Sequence, residues 1–315
     1  VSTTAPTPHA APAAGAFTTG LMLAIAGAVL FSAKAILVKL SYRYGVDAVT
    51  LIALRMAFSV PFFASALWFV SRGAPRLAAG EHARLIAIGL LGYYAASFLD
   101  FLGLQYISAA LERLILYLTP TIVLVISAVW LRKPITRLDA LALALSYGGI
   151  VLAFWHDVSF VGAGVARGAF LVFGSAVCYA SYLVLSGELV RRIGAVRLVA
   201  YAMCVASAAC IAQFALVNPL AHLVQPAPVY WLSAINALFS TVLPVFATML
   251  AVARIGAGNA ALAGTVGPVA TILLGYVFLG EAFSGWQFCG TALVLAGVFV
   301  LSRKGAPRAR PAPAD

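Results

Sequence analysis

The fold class this sequence predicts is an all-α integral membrane protein, with ten transmembrane helices arranged as two inverted five-helix repeats. Three observations predict it. Hydrophobic residues make up 63% of the 315 positions and charged residues only 9%, against about 25% charged in soluble domains. Ten apolar stretches, most of about 18 residues or more, match a hydrocarbon core at about 1.5 Å of rise per helical residue. The chain also repeats itself at an offset of 148 to 149 residues.

In chain order the expected spans lie near 20–40, 47–70, 84–106, 108–131, 138–154, 168–187, 197–217, 231–252, 259–280 and 285–302. The fifth, ending near Phe154, is slightly short. Residues 1–16 and 303–315 are Pro/Ala-rich, cannot build a core and are expected to be disordered tails. That leaves one five-helix unit at 17–154 and a second at 155–302. The repeat brings Ile107, Pro120, Leu131 and Gly149 onto Ile255, Pro268, Leu279 and Gly297, and Ala28-Val29 onto Ala176-Val177. Five helices per unit is an odd number, so the second unit enters the bilayer from the opposite side. The halves are then related by a pseudo-two-fold axis in the membrane plane.

The net charge of +11 could suggest nucleic acid, but the basic residues are not gathered on one soluble face. They follow the positive-inside rule. With a cytoplasmic amino terminus, the inner side carries Arg72, Arg76, Arg84, Arg132, Lys133, Arg137, Arg191, Arg192, Arg197, Arg254, Arg303, Lys304, Arg308 and Arg310, and the outer side only Lys39, Arg43 and Arg167. Both termini are therefore expected in the cytoplasm, with the protein in a bacterial inner membrane. No cleaved signal peptide is expected, since no Lys or Arg precedes the first helix and that helix is too long for a signal h-region. Cys178, Cys204, Cys210 and Cys289 lie within spans at spacings that match neither a zinc site nor a disulfide framework, and read as small buried residues.

Pro120 and Pro268 sit at equivalent places midway along the fourth helix of each half. Proline removes a helical hydrogen bond and persists in membranes where neighbours re-satisfy the freed carbonyl. Gly264, Gly267 and Pro268 make the ninth helix the expected site of a kink or local unwinding, as a packing feature or as a gate.

Lys34, Arg55, Asp100, Glu112 and Arg113 fall inside apolar spans of the first half. A charge near the bilayer centre costs about 2.5–3.5 kcal/mol on insertion scales, so each points to ion pairing or a polar pathway. Counted from the outer helix ends, all five share one layer roughly 6–12 Å deep. Helical spacing puts Tyr93, Ser97 and Asp100 on one face of the third helix and Arg113, Tyr117 and Pro120 on one face of the fourth. Glu112 is rotated by about 100° from Arg113.

Arg113 and Asp100 are thus expected to address a central cavity, and Glu112 a neighbouring helix, with Arg55 as its partner. Structural pairing is the favoured reading for Glu112 with Arg55, and a pathway role for Lys34, Asp100 and Arg113. Three cations against two anions leave one positive charge over. The repeat-related positions Tyr182, Cys204, Thr248, Ala260 and Ala261 are uncharged. The second half is expected to supply an apolar, aromatic and hydroxyl-bearing wall from Tyr179, Tyr182, Asn236, Ser240 and Thr241. Such a cavity suits a small amphiphile with an anionic or zwitterionic head, an amino acid or organic acid. Asp100, and with a weaker claim Glu112, are the candidate proton-coupling carboxylates.

The closing run of Pro268, Leu279-Gly280-Glu281, Trp286-Gln287, Gly290 and Gly297 resembles the signature of EamA-type members of the drug/metabolite transporter superfamily. Arg55 in Leu54-Arg55-Met56 is similar to the arginine common in that family's second helix. The first half departs from the signature, with Arg132-Lys133-Pro134 standing where the Gly-Glu pair would be, so Glu281 is expected to be a helix-end residue rather than a ligand. The resemblance covers about residues 20–302 and implies secondary transport of a small organic metabolite, often outward, without ATP.

The chain has no Walker A loop, paired-His zinc motif or Gly-x-Ser-x-Gly elbow, and His9, His82, His156 and His222 are scattered through tails and loops. No cofactor or metal is expected, and no nucleic-acid partner; the expected partners are a small-molecule substrate and membrane lipid. A non-transporting sensor or assembly protein is the alternative. An intramembrane enzyme, the lesser one, would need Asp100 or Glu112 to be catalytic.

Overall fold

The computed structural model describes residues 14–130, 132, 136–161, 163–264, 266–282 and 284–305. Of the expected tails at 1–16 and 303–315, residues 1–13 and 306–315, like Lys133 and Pro134 of the departure from the signature, lie outside the described residues. Residues 14–16 and 303–305 are helical rather than disordered, because the first and last helices extend past the apolar stretches that predicted them. The first half contains α1 (Ala14–Tyr42), α2 (Ala48–Ser71), α3 (Ala79–Leu104), α4 (Ala109–Trp130) and α5 (Arg137–Val161). The second contains α6 (Ala163–Ile193), α7 (Ala195–Val217), α8 (Ala227–Ile255), α9 (Val266–Leu279) and α10 (Gly285–Gly305). Among the described residues, seven helices are long and apolar enough to cross a membrane, and α9 and α10 are shorter apolar helices. α5 continues to Val161, well past the Phe154 end expected from hydropathy. Backbone hydrogen bonding, not apolar composition, decides where a helix stops.

Polar caps and glycines set the boundaries. Asp47 accepts from the backbone N–H of Thr50 (3.0 Å) at the start of α2, and Ser108 from that of Leu111 (3.1 Å) at the start of α4. Gly280 ends α9 in the left-handed region at φ 67°, where a side chain would be strained.

Contacts along α1 and α3 give the helix directions. Gly20 of α1 lies against Ile255 and Gly27 against Ala247 and Thr248, so α8 runs antiparallel to α1. Ser32 reaches Gly267 and Ile36 lies near Gly275, so α9 runs parallel to α1. The chain therefore reverses between Ile255 and Gly264, although helical turns continue to Gly264. Lys34 meets Asp100 and Lys39 meets Ile107, which makes α3 parallel to α1, whereas Gly92 against Tyr182 and Gly103 against Val172 make α6 antiparallel to α3. α6 is thus reversed relative to α1, its counterpart in the repeat.

The packing obeys the same exchange of halves. The extensive contacts are α1 with α8 and α3 with α6, α1 with α9 and α4 with α6, α2 with α7, and α5 with α10. Exchanging the two halves maps this set onto itself. The α5–α10 seam shows why small residues recur at the repeat period. A Cβ on Gly149 would sit 2.6 Å from the Gly290 carbonyl, and one on Gly297 2.7 Å from the Ala142 carbonyl.

Two irregular turns also obey the repeat. α3 loosens into π-helix over Leu90–Ala95 and α8 over Leu238–Val242, starting positions 148 residues apart. A third π segment, Gly275–Leu279, ends α9. π turns concentrate at functional sites because the wider turn displaces side chains and frees backbone groups.

A cation-rich cavity between the halves

Between the halves lies a cavity of about 320 Å³, within the range of small-molecule sites. Of the residues singled out from sequence, Lys34, Arg55, Tyr93, Ser97, Asp100, Arg113, Tyr117 and Pro120 line it. The second half contributes Tyr179, Ser240 and Thr241. Tyr93 comes from the π turn of α3, and Ser240 and Thr241 from that of α8, so the paired irregularities frame the cavity.

Glu112, Tyr182, Asn236 and Pro268 are not among the lining residues. Glu112 is fully buried behind the ammonium of Lys34, 2.8 Å away. Its expected partner Arg55 bonds elsewhere: Arg55 Nη2 donates to Ser97 Oγ (3.0 Å), and the guanidinium lies 4.6 Å from the centre of the Phe101 ring. The physical reason is the azimuth of α4, which turns Glu112 toward α1, the helix that carries Lys34. Tyr182 stacks on Tyr179, with ring centres 5.6 Å apart, and meets Tyr93 edge-on at 5.1 Å. It braces two cavity tyrosines from behind.

Lys34 Nζ also lies 2.5 Å from Asp100 Oδ2, so one ammonium serves both buried carboxylates. Arg113 Nε donates to Thr271 Oγ1 of α9 (3.0 Å), and its guanidinium stands 5.0 Å from the centre of the Phe31 ring. The two arginines are thus bonded to neutral hydroxyls. Arg55 Nε and Arg113 Nη2, both buried, have no hydrogen-bond partner among the described residues. The cavity is a low-dielectric pocket with two guanidiniums at its wall, each keeping donor capacity.

Each proline stands at the start of a helical segment. α4 is interrupted at Tyr117 and Leu118, and Pro120 follows in the first turn of Thr119–Trp130; Pro268 stands in the first turn of Val266–Leu274. In a first turn a proline interrupts no hydrogen bond of its own segment, but it has no N–H to offer the carbonyl four residues before it. Thr119 Oγ1 donates to the Leu116 carbonyl (2.6 Å), and the Tyr117 hydroxyl to that of Gly264. The Gly267 carbonyl accepts from Ser32 Oγ at 2.9 Å and from Thr271 Oγ1 at 3.1 Å.

Glu281 receives two bonds from the Ala109 N–H (3.1 and 3.2 Å) and lies 3.2 Å from Lys39 Nζ. It is a helix-end residue, but the helix it caps is α4 of the opposite half. Phe31 and Ser175 line the cavity and had not been singled out. Helical spacing carried a signal for both, since Phe31 lies three residues before Lys34 and Ser175 four before Tyr179.

Comparison with known proteins agrees with this architecture. The EamA-like transporter family matches residues 18–155 and again 166–303. The uncharacterized transporter YcbK of Bacillus subtilis (strain 168) is 32% identical over 280 residues, covering 86% of this chain and 88% of its own. Uncharacterized transporter YetK of the same organism is 24% identical over 255 residues, covering 78% and 76%. A crystal structure of a protein with 19% identity superposes with a TM-score of 0.64 over 91% of this chain and 98% of its own, a likeness of fold. With two matches to one family filling the two halves of an inverted helical bundle, the chain belongs to the EamA-like transporter family and is a multi-pass membrane transporter.

Proposed function

We propose that this protein is a secondary transporter that moves a small organic carboxylate through the central cavity by alternating access between its inverted halves. One observation carries the reading: Arg55 and Arg113 line the cavity with neutral partners and unused N–H donors, while both nearby acids are committed to Lys34. A guanidinium without a counter-ion in a low-dielectric site is costly, and a carboxylate offsets it through charge-assisted, often bidentate hydrogen bonds. Phe31, Tyr93 and Tyr179 supply the apolar wall for the rest of such a molecule. Tyr117, Ser97, Ser240 and Thr241 add hydroxyls that orient it. The asymmetry of basic residues supports a bacterial inner membrane location with both termini cytoplasmic.

Comparative metabolite profiling of cells and medium, with the protein overproduced or deleted, tests this. An organic acid or amino acid should change sides, and Arg55→Gln or Arg113→Gln should abolish the change while the protein remains inserted and monodisperse. A transported cation, or flux that survives both substitutions, would overturn the reading.

A further inference from the structure

Lys34 faces more negative charge than one ammonium neutralises. Asp100 and Glu112 are 3% and 0% exposed, and each places one oxygen on the same nitrogen. Asp100 Oδ1 and both Glu112 oxygens are buried with no hydrogen-bond partner among the described residues, so Glu112 meets the ammonium as an ion pair only. Two acids gathered on one cation in a dry interior repel each other, and the arrangement is relieved when one of them keeps a proton and bonds the other.

The surroundings leave room for that proton. Arg55 faces Asp100 from α2, Arg113 adjoins Glu112 on α4, and the Tyr42 phenol approaches Asp100 from α1. Tyr42 is committed to the Phe101 carbonyl at 2.7 Å, Arg55 to Ser97 and Arg113 to Thr271. The second half turns Thr271, Ser175 and Tyr179 toward this layer. Asp100 lines the cavity and Glu112 does not, so a proton exchanges with cavity water through Asp100.

We propose that Asp100 and Glu112 form one proton-binding site bridged by Lys34, and that its proton travels with the anionic substrate, making the protein a proton–carboxylate symporter. The symport half rests on the carboxylate reading above; the proton site does not. The sign follows from charge. With both acids ionised, Lys34, Arg55 and Arg113 exceed them by one positive charge, and a proton on the pair raises that excess to two. A protonated pair therefore holds a carboxylate more tightly, and by reciprocity a bound carboxylate holds the proton more tightly. Proton and monoanion load together and leave together, and the net charge moved is zero. Antiport would require the proton to repel the substrate, which is the behaviour of a cation.

Infrared difference spectroscopy of the purified chain between about pH 5 and 9 tests the site without any substrate. One protonated-acid carbonyl band should titrate, and it should vanish or shift in Asp100→Asn and in Glu112→Gln. Should either variant misfold, Asp100→Glu and Glu112→Asp, which keep an acid at each position, must move the band. A wild-type spectrum with no titrating acid band, or a band indifferent to every substitution, overturns the proton site.

For the coupling, calorimetry with benzoate as the probe carboxylate should give an affinity that falls about tenfold per pH unit above the titration of the pair. Benzoate that binds equally at every pH overturns the symport alone. Benzoate that does not bind at any pH counts against the carboxylate reading and the symport built on it, and the infrared result still decides the proton site.

Discussion

The Tyr117 hydroxyl donates to the carbonyl of Gly264, the carbonyl that Pro268 leaves without a helical donor. One hydrogen bond thus joins the break in α4 to the start of α9, its counterpart in the other half, at the wall of the cavity. An equivalent vacancy before Pro120 is closed locally by Thr119 instead. The repeat preserves the proline and its problem, while the two halves solve it differently.

Tyr117→Phe keeps the ring and removes the donor, and at this partly buried carbonyl it should lower stability by roughly 0.5–1.5 kcal/mol, the net worth of one hydrogen bond. Thermal unfolding in detergent measures this. Adding Pro268→Ala restores a backbone N–H near Gly264 and should recover part of the loss. A double substitution no more stable than Tyr117→Phe would show that the hydroxyl does not serve the freed carbonyl.

Lys34 is the single cation between two buried acids, so Lys34→Met should cost about 3–5 kcal/mol. Folded yield should fall sharply. Replacing all three together, Lys34→Met with Asp100→Leu and Glu112→Leu, removes the uncompensated charges and should restore yield without restoring transport. Size-exclusion profiles separate these outcomes.

Orientation can be read independently of function. Reporter fusions after residues 45, 80, 135, 160 and 305 should report outside, inside, inside, outside and inside, as fourteen basic residues against three require. An outside reading at 305 would reject this orientation.

Asp47, just outside α2, anchors a second cluster. Burial pushes its carboxyl up, but hydrogen bonds from the Thr50 hydroxyl and N–H, from Asn218 Nδ2 at 3.1 Å and from the Val49 N–H outweigh that and hold it below the usual aspartate range. His222 approaches the same carboxylate at 3.7 Å, and the Tyr42 phenol also faces it. A depressed carboxyl contributes stability above its unfolded pKa, and that contribution is lost as pH falls through the folded value. Proteolysis of the 218–226 loop should therefore begin only below about pH 4 in the wild type. Asp47→Ala should make the loop cleavable at neutral pH.

The ten apolar stretches, the 148-residue offset and the gathering of five charges in one half were legible because each is a local or periodic property. Chain length per helix is fixed by bilayer thickness, and the face a residue occupies is fixed by 3.6 residues per turn. That was enough to place Tyr93, Ser97, Asp100, Arg113 and Tyr117 toward one cavity. It was also enough to separate Glu112 from Arg113.

Pairing was not legible. Glu112 meets Lys34 rather than Arg55, Arg113 meets Thr271 from the far half, Glu281 caps the opposite half's α4, and Tyr117 reaches Gly264. Each of these depends on the rotation of one helix about its axis relative to another, which is set by how whole surfaces interlock and not by any window of sequence. The paired π turns belong to the same class, since they answer packing demands that local propensity does not encode. The sequence by itself determined which helices exist, how they repeat and which of them carry charge within an apolar stretch. Only the tertiary structure decided which charge neutralises which, because that is a property of distances between helices that the chain brings together only when it folds.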